Sequence, residues 1–193
     1  HESLLVQLTG ALAVDALRTA VQQVVDRHEA LRTVFDPDGQ CQYILPTLAL
    51  PVALVDFTHL ATDEQCATVD GWITAQNNQP FALAHGPLLR VALLRLGAEQ
   101  HRLLLTVHHI IADGMSVGLL LQELLHIYGA LSAENGSPTP ASLPAPVPFS
   151  AYIHRQLAAR HSPAMAAHAA YWQQQLAAPP ALALPGDSAA QPQ

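Results

Sequence analysis

Residues 3–9, from Ser3 to Thr9, are dense in Leu and Val and read as a strand that ends at Gly10. Helical spacing then takes over. Leu17, Val21, Val24, Val25 and His28 recur on one face, with Asp15 as the expected N-cap, and predict a helix to about Glu29. Leu31 to Phe35 is apolar and β-branched, and Asp36-Pro37-Asp38-Gly39 is a turn into a second strand, Cys41 to Leu45. Val52 to Phe57 alternates as a strand does. Thr62-Asp63-Glu64-Gln65 opens a helix carrying Cys66, Val69, Trp72 and Ile73, which ends near Asn77-Asn78.

Two apolar runs follow, Leu88 to Leu96 and His101 to His109, joined by Gly97-Ala98-Glu99-Gln100. They predict an antiparallel hairpin with both strands buried. Ser116 is the expected cap of a helix through Leu119, Leu120, Leu124, Ile127, Tyr128 and Leu131. A Pro-, Ser- and Ala-rich loop spans 133–148, and two further helices are expected over 149–160 and 164–177, the second introduced by Ser162-Pro163. The order of elements gives an α+β fold, a mixed β-sheet with helices packed against it. Residues 1–178 form the expected lobe and 179–193 a Pro- and Ala-rich linker leading away from it.

Half of the 193 residues are hydrophobic and 12% are charged, as in a folded chain. The net charge is −7 with only 8 Lys and Arg, too few cations to neutralise phosphates, which argues against a nucleic-acid partner. No apolar run in the sequence reads as a membrane span, and no basic segment followed by an apolar one opens the chain. Cys41 and Cys66 have no Cys or His at metal-finger spacing, and two cysteines make no disulfide framework, so a cytoplasmic setting and no metal are expected. The chain opens on His1 and passes at once into the first strand, as a piece of a longer polypeptide would.

The stretch that carries chemistry is Thr106-Val107-His108-His109-Ile110-Ile111-Ala112-Asp113-Gly114-Met115-Ser116, where a buried strand gives way to a helix. If the strand stays regular, His109 shares a face with Leu103, Leu105 and Val107, and His108 points the other way. One imidazole then serves as base and the other as support. An imidazole titrating near neutrality suits the removal of a proton from an attacking amine or hydroxyl, and a positioned base contributes roughly 10²–10⁴ in rate. Asp113 is spaced to turn back on the strand end, and Gly114 leaves room for a substrate and offers an N–H to an oxyanion. The same histidines also read as satisfied polar groups at a sheet edge. Diverging neighbours on a strand do not make a zinc site. His59, His85, His101, His126, His154, His161 and His168 are scattered over expected loops and helices and read as surface or filler.

His108 to Ser116 resembles the His-His-x-x-x-Asp-Gly signature of nonribosomal peptide synthetase condensation domains. Arg27-His28-Glu29-Ala30-Leu31-Arg32-Thr33-Val34-Phe35 is similar to the Arg-His-Glu-x-Leu-Arg-Thr-x-Phe stretch of that family. Pro80-Phe81 with Gly86-Pro87-Leu88-Leu89-Arg90, and Tyr171-Trp172-Gln173-Gln174-Gln175-Leu176 with Leu184-Pro185-Gly186-Asp187, resemble two further segments in the same order. Taken alone, Arg27, Glu29 and Arg32 read as a solvated helix end.

The resemblance implies the N-terminal lobe of a chloramphenicol acetyltransferase-like fold, whose partner is a C-terminal lobe of the same domain across a tunnel. It implies an acyltransferase that joins a donor thioester and an acceptor amine as an amide in nonribosomal peptide or hybrid polyketide biosynthesis, the making of natural products including antibiotics. Both substrates ride on phosphopantetheine arms of peptidyl or acyl carrier proteins, so no cofactor is bound directly. His109 is implied as the catalytic histidine, with His108, Asp113 in a structural role, and Gly114 completing the site. The family's first motif and C-terminal lobe are missing, and Met115 stands where Trp or Val is common. A heterocyclising relative would carry Asp in place of the histidines, and an epimerising one usually lacks the Gly after Asp. Ester-forming, starter and hybrid subtypes share these motifs. A carrier-binding scaffold lobe without turnover and a CoA-dependent acyltransferase remain the alternatives.

Overall fold

The computed structural model describes residues 1–132 and 143–178. It divides into two compact units, His1–Phe149 and a second that begins at Ser150. In the first unit, β1 (Glu2–Thr9), β6 (Gln100–Val107), β5 (Leu89–Arg95) and β4 (Val52–Asp56) form one sheet in that order. β1 and β5 both run antiparallel to β6, and β4 runs parallel to β5. The sheet is therefore mixed, as the order of elements led us to expect. β2 (Thr33–Phe35) and β3 (Gln42–Ile44) make a separate small hairpin around the Asp36–Gly39 turn.

Alternation along the strands sends side chains to two faces, and each face is covered. On the first, Leu103, Leu105 and Val107 of β6 and Leu89, Val91 and Leu93 of β5 pack with Leu17, Val21, Val24 and Val25 of α1 (Val14–Arg27) and with Val117, Leu120, Leu124 and Ile127 of α3 (Gly114–Ser132). On the second, Leu104, Ala92 and Leu94 meet Val69 of α2 (Thr62–Asn77) and Phe57. By length and composition α3 is apolar enough to cross a membrane, contrary to the reading of the sequence. Its Val117, Leu120, Leu124 and Ile127 are spent on this core, which is what a central helix of a sheet-based fold requires.

Several boundaries differ from expectation for identifiable reasons. Asp15 does not cap α1. Ala13 stands at the cap and donates its N–H to the Tyr128 hydroxyl at 3.1 Å, while Asp15 lies inside the first turn. The chain leaves α1 at His28, and Glu29–Arg32 form a 3-10 turn before β2, so the expected strand from Leu31 begins two residues later. β6 stops at Val107, and His108 and His109 belong to the turn beyond it. Ser116 does not cap α3; that position is taken by Asp113, as described below. Arg27 and Arg32 are not a solvated end either. Arg32 donates to the carbonyls of Leu45 and Pro46.

Arg27 reaches across to α3, donating from Nε and Nη2 to the Glu123 carboxylate at 3.1 and 3.4 Å and from Nη2 to the Pro144 carbonyl at 2.8 Å. His28 Nε2 meets the same carboxylate at 2.8 Å. The loop residues 133–142 and the expected linker from 179 lie outside the described residues. The second unit contributes α5 (Pro163–Gln175), whose Ser162 cap accepts the Met165 N–H at 3.3 Å, while α4 (Phe149–Arg160) starts at the boundary.

The Glu123 carboxyl feels opposed influences. Burial raises its pKa, but hydrogen bonds and charge from Arg27 and His28 outweigh burial and hold it below the usual 4.5. A depressed carboxyl contributes stability that is complete above its unfolded-state pKa and is lost as pH falls through the folded value. Glu123→Gln is expected to lower unfolding free energy by about 1–3 kcal/mol at pH 7. In denaturant titrations that difference should shrink below pH 4.5. A difference that is independent of pH would contradict the ion-pair account.

Candidate functional site at the end of strand β6

Strand β6 delivers two histidines to one end of the sheet, and the ladder continues one step beyond it: the His108 N–H donates to the Leu88 carbonyl at 2.9 Å. A tight turn then begins. The Ile110 N–H donates to His108 Nδ1 at 3.1 Å, and the Ile111 N–H to the His108 carbonyl at 3.1 Å. The two rings meet different partners. His108 is half-buried among other rings, 5.9 Å from Phe81 in an edge-to-face contact and 5.4 Å from His1. Burial is the largest influence on it and holds its pKa below 6.5, so it is disposed to stay neutral.

His109 is exposed over 58% of its side chain. Its Nε2 lies 2.8 Å from Oε1 of Glu2, the first residue of β1. Glu2 pairs with Val107 across the ladder, so the strand register itself brings the carboxylate beside the turn. Sequence reasoning passed Glu2 over, although a signal was present. Alternation puts Glu2 on the same face as Leu4, Val6 and Leu8, and a carboxylate at the end of a core-facing row is out of place unless it meets a cation or a polar site.

Asp113 does not turn back on the strand end. Its Oδ1 accepts the Ser116 N–H at 2.9 Å and the Ser116 hydroxyl at 2.6 Å, the arrangement of a helix N-cap reaching the third residue of the helix. These two hydrogen bonds, the hydroxyl's the stronger influence, hold the Asp113 carboxyl below its ordinary range. Gly114 is the first residue of α3, where a backbone N–H has no helical acceptor. A Cβ there would stand 3.7 Å from Glu2 Oε2, an ordinary contact, so packing alone does not demand glycine. His109, Glu2, Gly114 and the Asp113 cap are thus one locality. His108 faces away from it.

Behind the turn, His28, Ala30, Leu31, Ile111, Ala112, Ser116, Leu119 and Leu120 line an open cavity of about 130 Å³. On the α2 side, Arg90 donates to the carbonyls of Gln76, Gln79 and Pro80, the shortest at 2.8 Å, and its guanidinium lies 3.9 Å from the Phe81 ring centre. The matched segments at Pro80-Phe81 and Arg90 therefore tie the end of α2 to the sheet and back the His108 ring. Among the remaining histidines, His101 sits within β6, 5% exposed. Among the described residues no three His, Cys, Asp or Glu side chains converge as a metal site requires.

A family profile described as Condensation domain matches residues 1–193. Chondramide synthase cmdD of Chondromyces crocatus is 36% identical over 182 residues, covering 93% of this chain and 5% of that protein. Phosphinothricin tripeptide synthetase PhsC of Streptomyces viridochromogenes is 34% identical over 180 residues, covering 91% of this chain and 16% of that protein. The starter condensation domain of the rhizomide synthetase RzmA superposes with a TM-score of 0.79 at 26% identity, covering 91% of this chain and 42% of that one. The X-domain in complex with OxyB from teicoplanin biosynthesis gives 0.80 at 29%, covering 97% and 41%. The chain therefore spans a small part of the synthetases and about two fifths of the solved domains, and its fold is that of the chloramphenicol acetyltransferase-like condensation domains. A sheet that ends in His108-His109, a capped helix that begins at Asp113-Gly114, and a matching profile along the whole length lead to one conclusion: this chain belongs to the condensation-domain family.

Proposed function

We propose that this chain supplies the His109-bearing part of an amide-forming condensation site, completed by a further lobe of the same domain. The observation that carries the reading is the His109 ring, 58% exposed in the turn just beyond the β1–β6 ladder. A base buried in packed interior has no access to a substrate; this one does. The donor would arrive as a thioester and the acceptor as an amine, each on the phosphopantetheine arm of a carrier protein, as the likeness to peptide synthetases supports.

The acceptor nitrogen attacks the thioester carbon while His109 accepts its proton. The C–S bond then breaks, the sulfur leaves as a thiol, and the amide stays on the acceptor arm. Gly114 stands at a helix N-terminus, where an unpaired N–H and the helix dipole favour the negative charge that develops on the carbonyl oxygen. His108 holds the turn, through its hydrogen bond to Ile110 and its packing on Phe81, and Asp113 fixes the start of α3. A second reading, a lobe that binds carriers or another partner without turnover, is supported by the likeness to the X-domain described in complex with OxyB.

Donor- and acceptor-loaded carrier proteins separate the two when mixed with the condensation domain that contains this chain. The catalytic reading expects amide product, lost by roughly 10²–10⁴-fold in His109→Ala. Carrier binding with no product in any combination supports the second reading instead. Stability distinguishes the other polar residue of the motif. Asp113→Ala removes both hydrogen bonds to Ser116, whereas His109→Ala removes an exposed ring. Thermal melts should therefore place Asp113→Ala below His109→Ala, and equal midpoints would contradict the capping role.

A further inference from the structure

We propose that Arg90 and Phe81 are positioning residues for the histidine turn: Arg90 holds the Phe81 ring against His108, and the sheltered imidazole pins the turn that presents His109. The inference rests on the functional reading above and adds two residues to it. Strand pairing places Arg90 first. It stands opposite Thr106 in the β5–β6 ladder, one residue before the end of β6. From there its guanidinium donates to three carbonyls at and just beyond the end of α2, Gln76 at 3.3 Å, Gln79 at 2.8 Å and Pro80 at 3.4 Å. The same group lies over the face of Phe81, 3.9 Å from the ring centre, where a cation meets the negative side of the π-system. A second fastener works beside it: Asn77 Oδ1 accepts the hydroxyls of Ser3 and Thr106 at 2.9 and 3.3 Å. The end of α2 and the ring that follows it are thus tied to β1 and β6.

Phe81 in turn meets His108 edge to face at 5.9 Å, and the His1 ring closes the cluster, 4.7 Å from Phe81 and 5.4 Å from His108. Burial is the largest influence on His108 and favours its neutral form. The charged or titratable groups around it are His1 with its amino group, His109 and, beyond Phe81, Arg90. All are cationic when protonated, and no carboxylate is among the influences on it. Only a neutral imidazole can offer Nδ1 to the Ile110 N–H, 3.1 Å away, and the turn that carries His109 closes on that hydrogen bond. A His108 that takes up a proton loses this acceptor, and the turn loses its clasp. Arginine suits the task better than lysine would. Its Nε is buried without a partner, a cost that a lysine would not carry. The position therefore uses the flat fork, which stacks on a ring and reaches several carbonyls at once, and not the charge alone. Both residues act through His108.

The test uses the condensation domain that contains this chain, with carrier-loaded substrates, and compares Phe81→Ala, Phe81→Tyr, Arg90→Met, Arg90→Lys and His109→Ala. Phe81→Ala and Arg90→Met open His108 to water. Both are expected to lower kcat roughly tenfold at about pH 6 and much less at about pH 8, with KM for both carriers unchanged. Phe81→Tyr keeps the ring and should recover most of the loss, whereas Arg90→Lys keeps only the charge and should not. NMR titration of the His108 ring supplies a readout that needs no turnover. Its midpoint should move up in Phe81→Ala and Arg90→Met and stay in place in Phe81→Tyr. Losses equal at both pH values, or a His108 titration that no variant moves, overturn the inference and leave the condensation reading standing. So does wild-type turnover in Phe81→Ala and Arg90→Met with His109→Ala dead. Phe81 is half-buried, so its two variants decide the matter by themselves if Arg90→Met does not fold. Full turnover in His109→Ala overturns the condensation reading itself.

Discussion

Strands β1 and β6 come from opposite ends of the first 107 residues, and their antiparallel register, from Glu2–Val107 to Thr9–Gln100, fixes where every group of the site stands. A slip of one residue would turn Leu4, Val6 and Leu8 out of the core and carry the Glu2 carboxylate to the other face. The register is therefore held by the same burial that stabilises the sheet. On the opposite side of β6, the pairing with β5 runs from Leu89–Val107 to Arg95–His101, and the His108 N–H adds one more bond to Leu88. The histidine turn leaves a strand paired on both edges, which is the pre-organisation that the proposed base would need.

Helix α3 carries the second half of the site and is fastened by charge at two points. Asp113 satisfies the first-turn N–H of Ser116 and fixes where the helix begins. Glu123, further along, joins α3 to the end of α1 through Arg27 and His28. Between them, Val117, Leu120 and Leu124 fill the core. The Arg27–Phe35 segment thus bears on the site at a distance: Arg27 and His28 hold α3, and Leu31 and Ala30 line the cavity behind the Ile111-Ala112 turn. Their contribution is placement of an element, and none of them lies in contact with His109 or Glu2 by the hydrogen bonds described above.

The sequence made the hairpin β5–β6, the helices and the mixed sheet legible because buried strands and capped amphipathic helices leave periodic patterns. The caps were harder. Asp15 and Ser116 are good cap residues by type, yet the chain used Ala13 and Asp113, because cap identity depends on where the backbone turns and not on residue type alone. Glu123 was invisible for a different reason. It pairs with Arg27 of α1, and such a pairing follows from helix docking, which no local pattern encodes. His101, read as surface or filler, is buried within β6.

The rest of the account depends on the proposal that the acceptor nitrogen meets the His109 ring. A crystal structure of the condensation domain that contains this chain, bound to a non-hydrolysable aminoacyl-phosphopantetheine, tests it most directly. The account predicts the amine nitrogen about 3 Å from a His109 ring nitrogen, with Gly114 bordering the same space. An amine seated instead against His108 and Phe81, with the His109 ring turned away from it, would contradict the account.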